Sequence, residues 1–124
     1  MVKIKTHNDL EVFNLAFDSA MKIFEISKSF PIEERYSLTD QIRRSSRSVC
    51  ANIAEAFRRR RYPKSFVSKL NEAEAESAET QTWIKFANKC NYIESVKNES
   101  LIKIYDNIIG KIVTMENQPE NWSI

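Results

Sequence analysis

Apolar residues recur at intervals of three and four along four stretches of the chain, the spacing of one buried helix face. The first stretch runs from about Asp9 to Ser29, with Asn8 or Asp9 as its cap. Leu10, Phe13, Phe17, Ala20, Met21 and Phe24 share a face there and predict its core stripe. A second ridge, Val12, Leu15, Ile23 and Ile26, implies either a contact with another subunit or a wide core face. Phe30-Pro31 ends this helix, because a residue before proline avoids the α region. Ser37 then predicts the cap of a second helix, from Leu38 to about Arg61. Its buried stripe is Leu38, Ile42, Val49, Cys50, Ile53, Ala56 and Phe57, within about a third of the circumference at 100° per residue. Pro63 suits the first position of a third helix, which runs to about Lys89. Its stripe is Phe66, Leu70, Ala73, Ser77, Thr80, Ile84 and Ala87. After a break at Asn91, a fourth helix spans roughly Glu94 to Glu116 with Leu101, Tyr105, Ile108, Ile112 and Met115 inward. Ile102, Ile109 and Val113 widen that face and suit a second contact surface. The tail from Asn117 is expected to fray or to dock on a neighbour. Four such stretches with short connections predict an all-α, antiparallel up-down-up-down four-helix bundle, one domain over residues 1–124.

Composition narrows the chemistry. One glycine and three prolines in 124 residues leave too few turn formers for a sandwich or barrel, and no phosphate-cradling glycine loop exists. A single histidine, His7, removes zinc sites with two histidines, His-based triads on a core and the Glu-x-x-His pairs of di-iron bundles. Cys50 and Cys90 lack Cys-x-x-Cys spacing and are expected to be buried, reduced thiols. No apolar run reaches the roughly 20 residues of a membrane span, and Met1 to Lys5 holds no apolar leader. The expectation is a cytoplasmic, non-enzymatic protein with no cofactor, no metal and no membrane contact.

Net charge is only +2, but seven arginines lie between Leu38 and Arg61 against Asp40 and Glu55. Arg43, Arg44, Arg47, Arg58 and Arg61 fall on an arc beside the second helix's apolar stripe. Arg58, Arg59, Arg60 and Arg61 are consecutive, with Lys64 just beyond. Guanidinium forks match phosphate oxygens, so these eight side chains are the candidate nucleic-acid contacts, with Tyr62 and Phe66 placed to stack on bases. Glu72, Glu76 and Glu79 form an acidic ridge on the third helix. They are read as a charged, salt-bridged face, and Arg43 and Arg47 as its expected ion-pair partners. Ser45, Ser46 and Ser48 suit close helix approach, Asn52 a satisfied amide, and Trp83 and Trp122 packing or a subunit interface.

Leu38-Thr39-Asp40-Gln41-Ile42-Arg43-Arg44-Ser45-Ser46-Arg47-Ser48-Val49-Cys50-Ala51-Asn52-Ile53-Ala54-Glu55-Ala56-Phe57 resembles the signature of a four-helix bundle family. Its members are encoded in intervening sequences of bacterial 23S ribosomal RNA genes. The likeness continues in Asp9 to Phe13, Phe30 to Tyr36 and Ala73 to Glu79. The resemblance implies a ring-like homopentamer without known enzymatic activity. The accessory variability determinant of diversity-generating retroelements looks similar; it is a basic pentameric barrel that binds nucleic acid and a reverse transcriptase. By that likeness RNA or DNA, and a polymerase of that kind, are the expected partners. Arg43 and Arg44 sit in the shared motif, with Arg47 a looser match, and Arg58 to Arg61 fall where members are often basic. Ala56 replaces a usual glycine and Cys50 a frequent proline. The expected function is a basic oligomeric surface offered to nucleic acid. The alternative is a structural or protein-interaction scaffold with its arginines in intersubunit ion pairs.

Overall fold

The computed structural model describes residues 4–122, so the reading of Met1 to Lys3 as leaderless lies outside it. Four helices carry the chain: α1 (Glu11–Ser27), α2 (Leu38–Arg58), α3 (Pro63–Lys89) and α4 (Ser95–Asn117), with single 3-10 turns at His7–Asp9, Ile32–Glu34 and Pro119–Asn121. Each helix touches its sequence neighbour and α4 closes back on α1, while α1 and α3 do not meet. The result is a four-helix bundle in which the α1–α2 face lies opposite the α3–α4 face. Cross-helix pairs fix the directions. Arg43 meets Ser27, Lys69 meets Glu55, Gln81 meets Asp106 and Lys111 meets Glu11, so neighbours run antiparallel.

The stripes expected for α2, α3 and α4 are all buried. Small residues let α2 and α3 approach closely. Ser45, Ser46, Ala73, Ser77 and Thr80 are sealed between them, and their hydroxyls turn to carbonyls of their own helices or to each other. Asn52 donates to the Ser48 carbonyl at 3.0 Å and hydroxyl at 3.2 Å, the satisfied amide expected of it.

Helix α1 departs from its expectation. The side chains that face the core are Val12, Ala16, Ser19, Ile23 and Ser27. Phe17 and Met21 are 50% and 47% exposed, and Phe13 and Phe24 are half-buried. The larger apolar ridge is therefore the outer one. Ser19 and Ser27 are tolerated inside because each hydroxyl donates to a carbonyl one turn back, at 2.7 and 3.0 Å.

The helix ends also differ in detail. Thr6 and Asp9 form a capping box on the first 3-10 turn, and α1 begins two residues later than expected. α3 ends in a Schellman turn, with Tyr92 N donating to the Ala87 carbonyl and Asn91 at φ 63°, a conformation asparagine tolerates. Cys90 lies in this turn and is exposed, against expectation, whereas Cys50 is buried. Burial pushes the Cys50 thiol up to about 11, so it packs rather than reacts. The tail docks on its own chain: Pro119–Asn121 lies against α3 and α4, and Trp122 packs on the core.

Ser37 does not cap α2 with its own side chain; Glu34 does so in its place. The Glu34 carboxylate accepts from Ser37 Oγ at 2.6 Å, from Leu38 N at 3.4 Å and from Tyr92 Oη at 3.0 Å. One carboxylate thus joins the α1–α2 and α3–α4 connections. The Ser37 and Tyr92 hydroxyls hold it below its ordinary value, and that bond helps push the Tyr92 phenol up to about 12. A depressed folded pKa stabilises above the ordinary value of 4.5, and the gain is lost as pH falls through the folded value. Between about pH 5 and pH 3 the melting temperature of the wild type is expected to fall more steeply than that of Glu34→Gln. Parallel thermal melts read the difference, and equal slopes would show that Glu34 makes no such contribution.

Candidate nucleic-acid interface

The eight candidate cations do not form one row. α2 ends at Arg58, and Arg59, Arg60 and Arg61 lie in the turn to α3 rather than on a continuing helix. Arg59 caps the helix, its N–H reaching the Glu55 and Ala56 carbonyls, and its guanidinium donates to Ser65 Oγ at 3.2 Å. Arg60 folds back 3.6 Å from the centre of the Phe57 ring and donates to the Phe57 carbonyl at 2.8 Å. Burial, and then Arg58, pull its pKa down. Arg58, Arg59, Arg61 and Lys64 are exposed. No carboxylate among the described residues forms an ion pair with any of these five side chains, because nearby Glu55 binds Lys69 at 3.0 Å.

Pro63 opens α3 at the same end, and no side chain caps that helix. The free N–H groups and positive dipole end of a helix of 27 residues thus share a corner with four exposed cations. Of the two expected stacking residues, only Tyr62 is available, 64% exposed; Phe66 is 1% exposed and belongs to the core.

The signature arginines divide between the two flanks of α2. Arg44 faces α3, where Nη1 donates to Glu76 at 3.0 Å and Nη2 binds Glu79. Partial burial opposes its charge, but the two carboxylates outweigh this and raise its pKa. Trp83 Nε1 donates to the same Glu79 carboxylate at 3.1 Å. The ion-pair partner of the acidic ridge is therefore Arg44, not Arg43 or Arg47. Those two face α1 instead, stacked 4.8 and 5.7 Å from the Phe24 ring centre, and Arg43 Nε donates to buried Ser27 at 2.8 Å. A single 100° step separates Arg43 from Arg44, enough to send them to different neighbours.

No three acidic, histidine or cysteine side chains among the described residues gather as a metal site, and no described helix is long and apolar enough to cross a membrane. What these observations define is an all-α four-helix protein with a cationic corner at the α2–α3 turn and a second cationic flank beside α1. The chain belongs to the 23S rRNA-intervening sequence protein family, whose model matches residues 8–114. It is similar to a solved protein of unknown function from the S23 ribosomal protein family of Bacteroides thetaiotaomicron. That likeness has 27% identity and a TM-score of 0.77, and covers 86% of this chain and 95% of that one. No curated protein matches the sequence. The family is one of unknown function, with no catalytic family indicated.

Proposed function

We propose that the protein is a non-enzymatic RNA-binding module whose phosphate contacts are Arg58, Arg59, Arg61 and Lys64, assisted by the open N-terminus of α3. The observation that carries this reading is that these four exposed cations have no carboxylate partner among the described residues, while Arg44 nearby has two. Guanidinium groups left unpaired beside helix N–H donors are suited to phosphate oxygens. Arg47 adds an exposed cation on the α1 side, whereas Arg43, Arg44 and Arg60 act mainly in holding the fold. A homopentameric ring, as the family resemblance implies, repeats the corner five times, so weak single contacts gain avidity. A reverse transcriptase or other polymerase working on the same nucleic acid is a compatible protein partner, and DNA is an alternative ligand of the same chemistry.

Binding of single-stranded RNA as a function of salt tests the reading. Four neutralised phosphates per chain predict a log–log slope of about −3, at roughly −0.7 per phosphate. Replacing Arg58, Arg59, Arg61 and Lys64 together with glutamine is expected to remove nearly all of that slope. Wild-type protein that ignores RNA at low salt would overturn the proposal. It would favour the scaffold reading, which the Arg44–Glu76–Glu79 cluster supports as a structural use of arginine.

A further inference from the structure

The outward ridge of α1 leaves an apolar face on the bundle. Phe17, Met21 and Phe24 line one wall of a trough of about 390 Å³, and Ala51 and Ala54 of α2 form the other, with Cys50 at its floor. Small residues on one helix and large ones on the next make a groove, not a bulge. Arg47 stands at its rim, exposed and without a carboxylate partner among the described residues.

The opposite face of the same bundle carries the complementary chemistry. Ile102, Asp106, Ile109, Val113 and Glu116 follow one another at helical spacing along the flank of α4 that faces α3. Gln81 of α3 reaches this flank, donating to the Ile102 carbonyl at 3.2 Å and to Asp106 at 2.8 Å. Ile109 and Val113 are half-buried, an apolar ridge between the carboxylates of Asp106 and Glu116. Glu116 lies beside Glu74 of α3, and no cation among the described residues pairs with either. Burial, and then the Glu74 carboxyl, push Glu116 up to about 7. This seam has carboxylates in excess where the trough has an unpaired arginine.

Height along the bundle matches as well. Arg44 binds Glu76 and Glu79, so Arg47, one turn nearer the α2–α3 turn, stands level with the part of α3 that holds Glu74. Two copies standing side by side and parallel would bring Arg47 of one to the level of the Glu74–Glu116 pair of the next.

We propose that the trough is occupied by a second copy of this chain, head to tail, with the Ile109–Val113 ridge of the next copy seated in it and Arg47 set against Glu74 and Glu116. Because the two surfaces are different and lie on opposite faces, the contact repeats from copy to copy and closes into a ring where the rotation allows. This deepens the oligomeric part of the reading above, and its readout is mass, so it stands or falls separately from RNA binding.

Sedimentation of the full chain supplies the test. Wild type is expected to sediment as an oligomer. Two variants are expected to be monomeric with unchanged helix content: Phe17→Asp with Met21→Asp, which spoils the trough, and Glu74→Arg with Glu116→Arg, which spoils the seam. Each keeps one working surface, so an equal mixture of the two is expected to form a one-to-one heterodimer and nothing larger. A charge swap avoids reliance on apolar substitutions that disturb folding. Arg47→Glu alone is expected to weaken association by about tenfold or more, and adding Glu74→Arg to restore part of it. A monomeric wild type, a seam variant that keeps the wild-type mass, or monomers that fail to pair on mixing would each overturn the proposal.

Discussion

Phe66→Ala is expected to destabilise the chain by about 3–5 kcal/mol. Tyr62→Ala, four residues earlier, is expected to change stability by less than about 0.5 kcal/mol. Both aromatics flank the arginine run, and from sequence both suit base stacking. The fold separates them. Phe66 is one helical turn into α3 and is sealed in the core, so truncation leaves a void between α2 and α3, the pair of helices in closest contact. Tyr62 stands outside the helix and is 64% exposed. The two substitutions should therefore divide between two measurements. Phe66→Ala should lower the urea midpoint while leaving the RNA affinity of the folded fraction unchanged. Tyr62→Ala should leave the midpoint alone and cost about 1–3 kcal/mol of binding if a base stacks on the ring. A Phe66→Ala protein as stable as wild type would mean that α3 does not enter the core in this register.

The same contrast between face and distance explains which parts of the molecule were legible in the sequence. Helices α2, α3 and α4 each carry one apolar stripe, so periodicity alone assigns every inward residue. α1 carries two. Ranking them by size selects Phe13, Phe17, Met21 and Phe24, but the bundle takes Val12, Ala16, Ser19, Ile23 and Ser27. Hydroxyls bonded to their own helix make a slim inner face cheap, and a slim face lets α1 fit beside α2. The signal that something would cover the bulky face was the surplus itself. A monomeric bundle needs one greasy side per helix, and α1 has a second.

The candidate site was read less completely, for two physical reasons. Helix periodicity does not mark where α2 stops. Arg58 to Arg61 read as a row on a rod, whereas the chain turns at Arg59 and gathers three of the four into a corner beside the start of α3. That moves the proposed interface from the side of the bundle to its end. Partner choice within the signature also depends on which flank meets which helix, and this follows from the handedness of the bundle, not from sequence spacing. Opposite the acidic ridge stands Arg44; Arg43 and Arg47 are turned to Phe24. Glu34 as the cap of α2 was equally hidden, because its role depends on the connection folding back and on Tyr92 arriving from the far end of the sequence.

Tyr105→Phe is expected to stabilise the chain, by about 1 kcal/mol. Tyr105 is the largest fully buried side chain, and its hydroxyl has no hydrogen-bond partner in the core. Burial, reinforced by nearby Cys50, pushes the phenol's pKa upward, as a polar group taken out of water requires. An unsatisfied buried hydroxyl costs roughly 1–3 kcal/mol of desolvation, part of which is offset because removing the oxygen leaves a small void. Thr80 is the control. Its hydroxyl is equally buried but lies 2.9 Å from both Ser45 Oγ and the Glu76 carbonyl. Thr80→Val should therefore cost about 1 kcal/mol where Tyr105→Phe gains it. Urea unfolding with an unchanged m-value reads both signs. A Tyr105→Phe midpoint below that of wild type would mean that the hydroxyl is satisfied after all, through a water or the Cys50 thiol, and that this part of the core is polar by design rather than by tolerance.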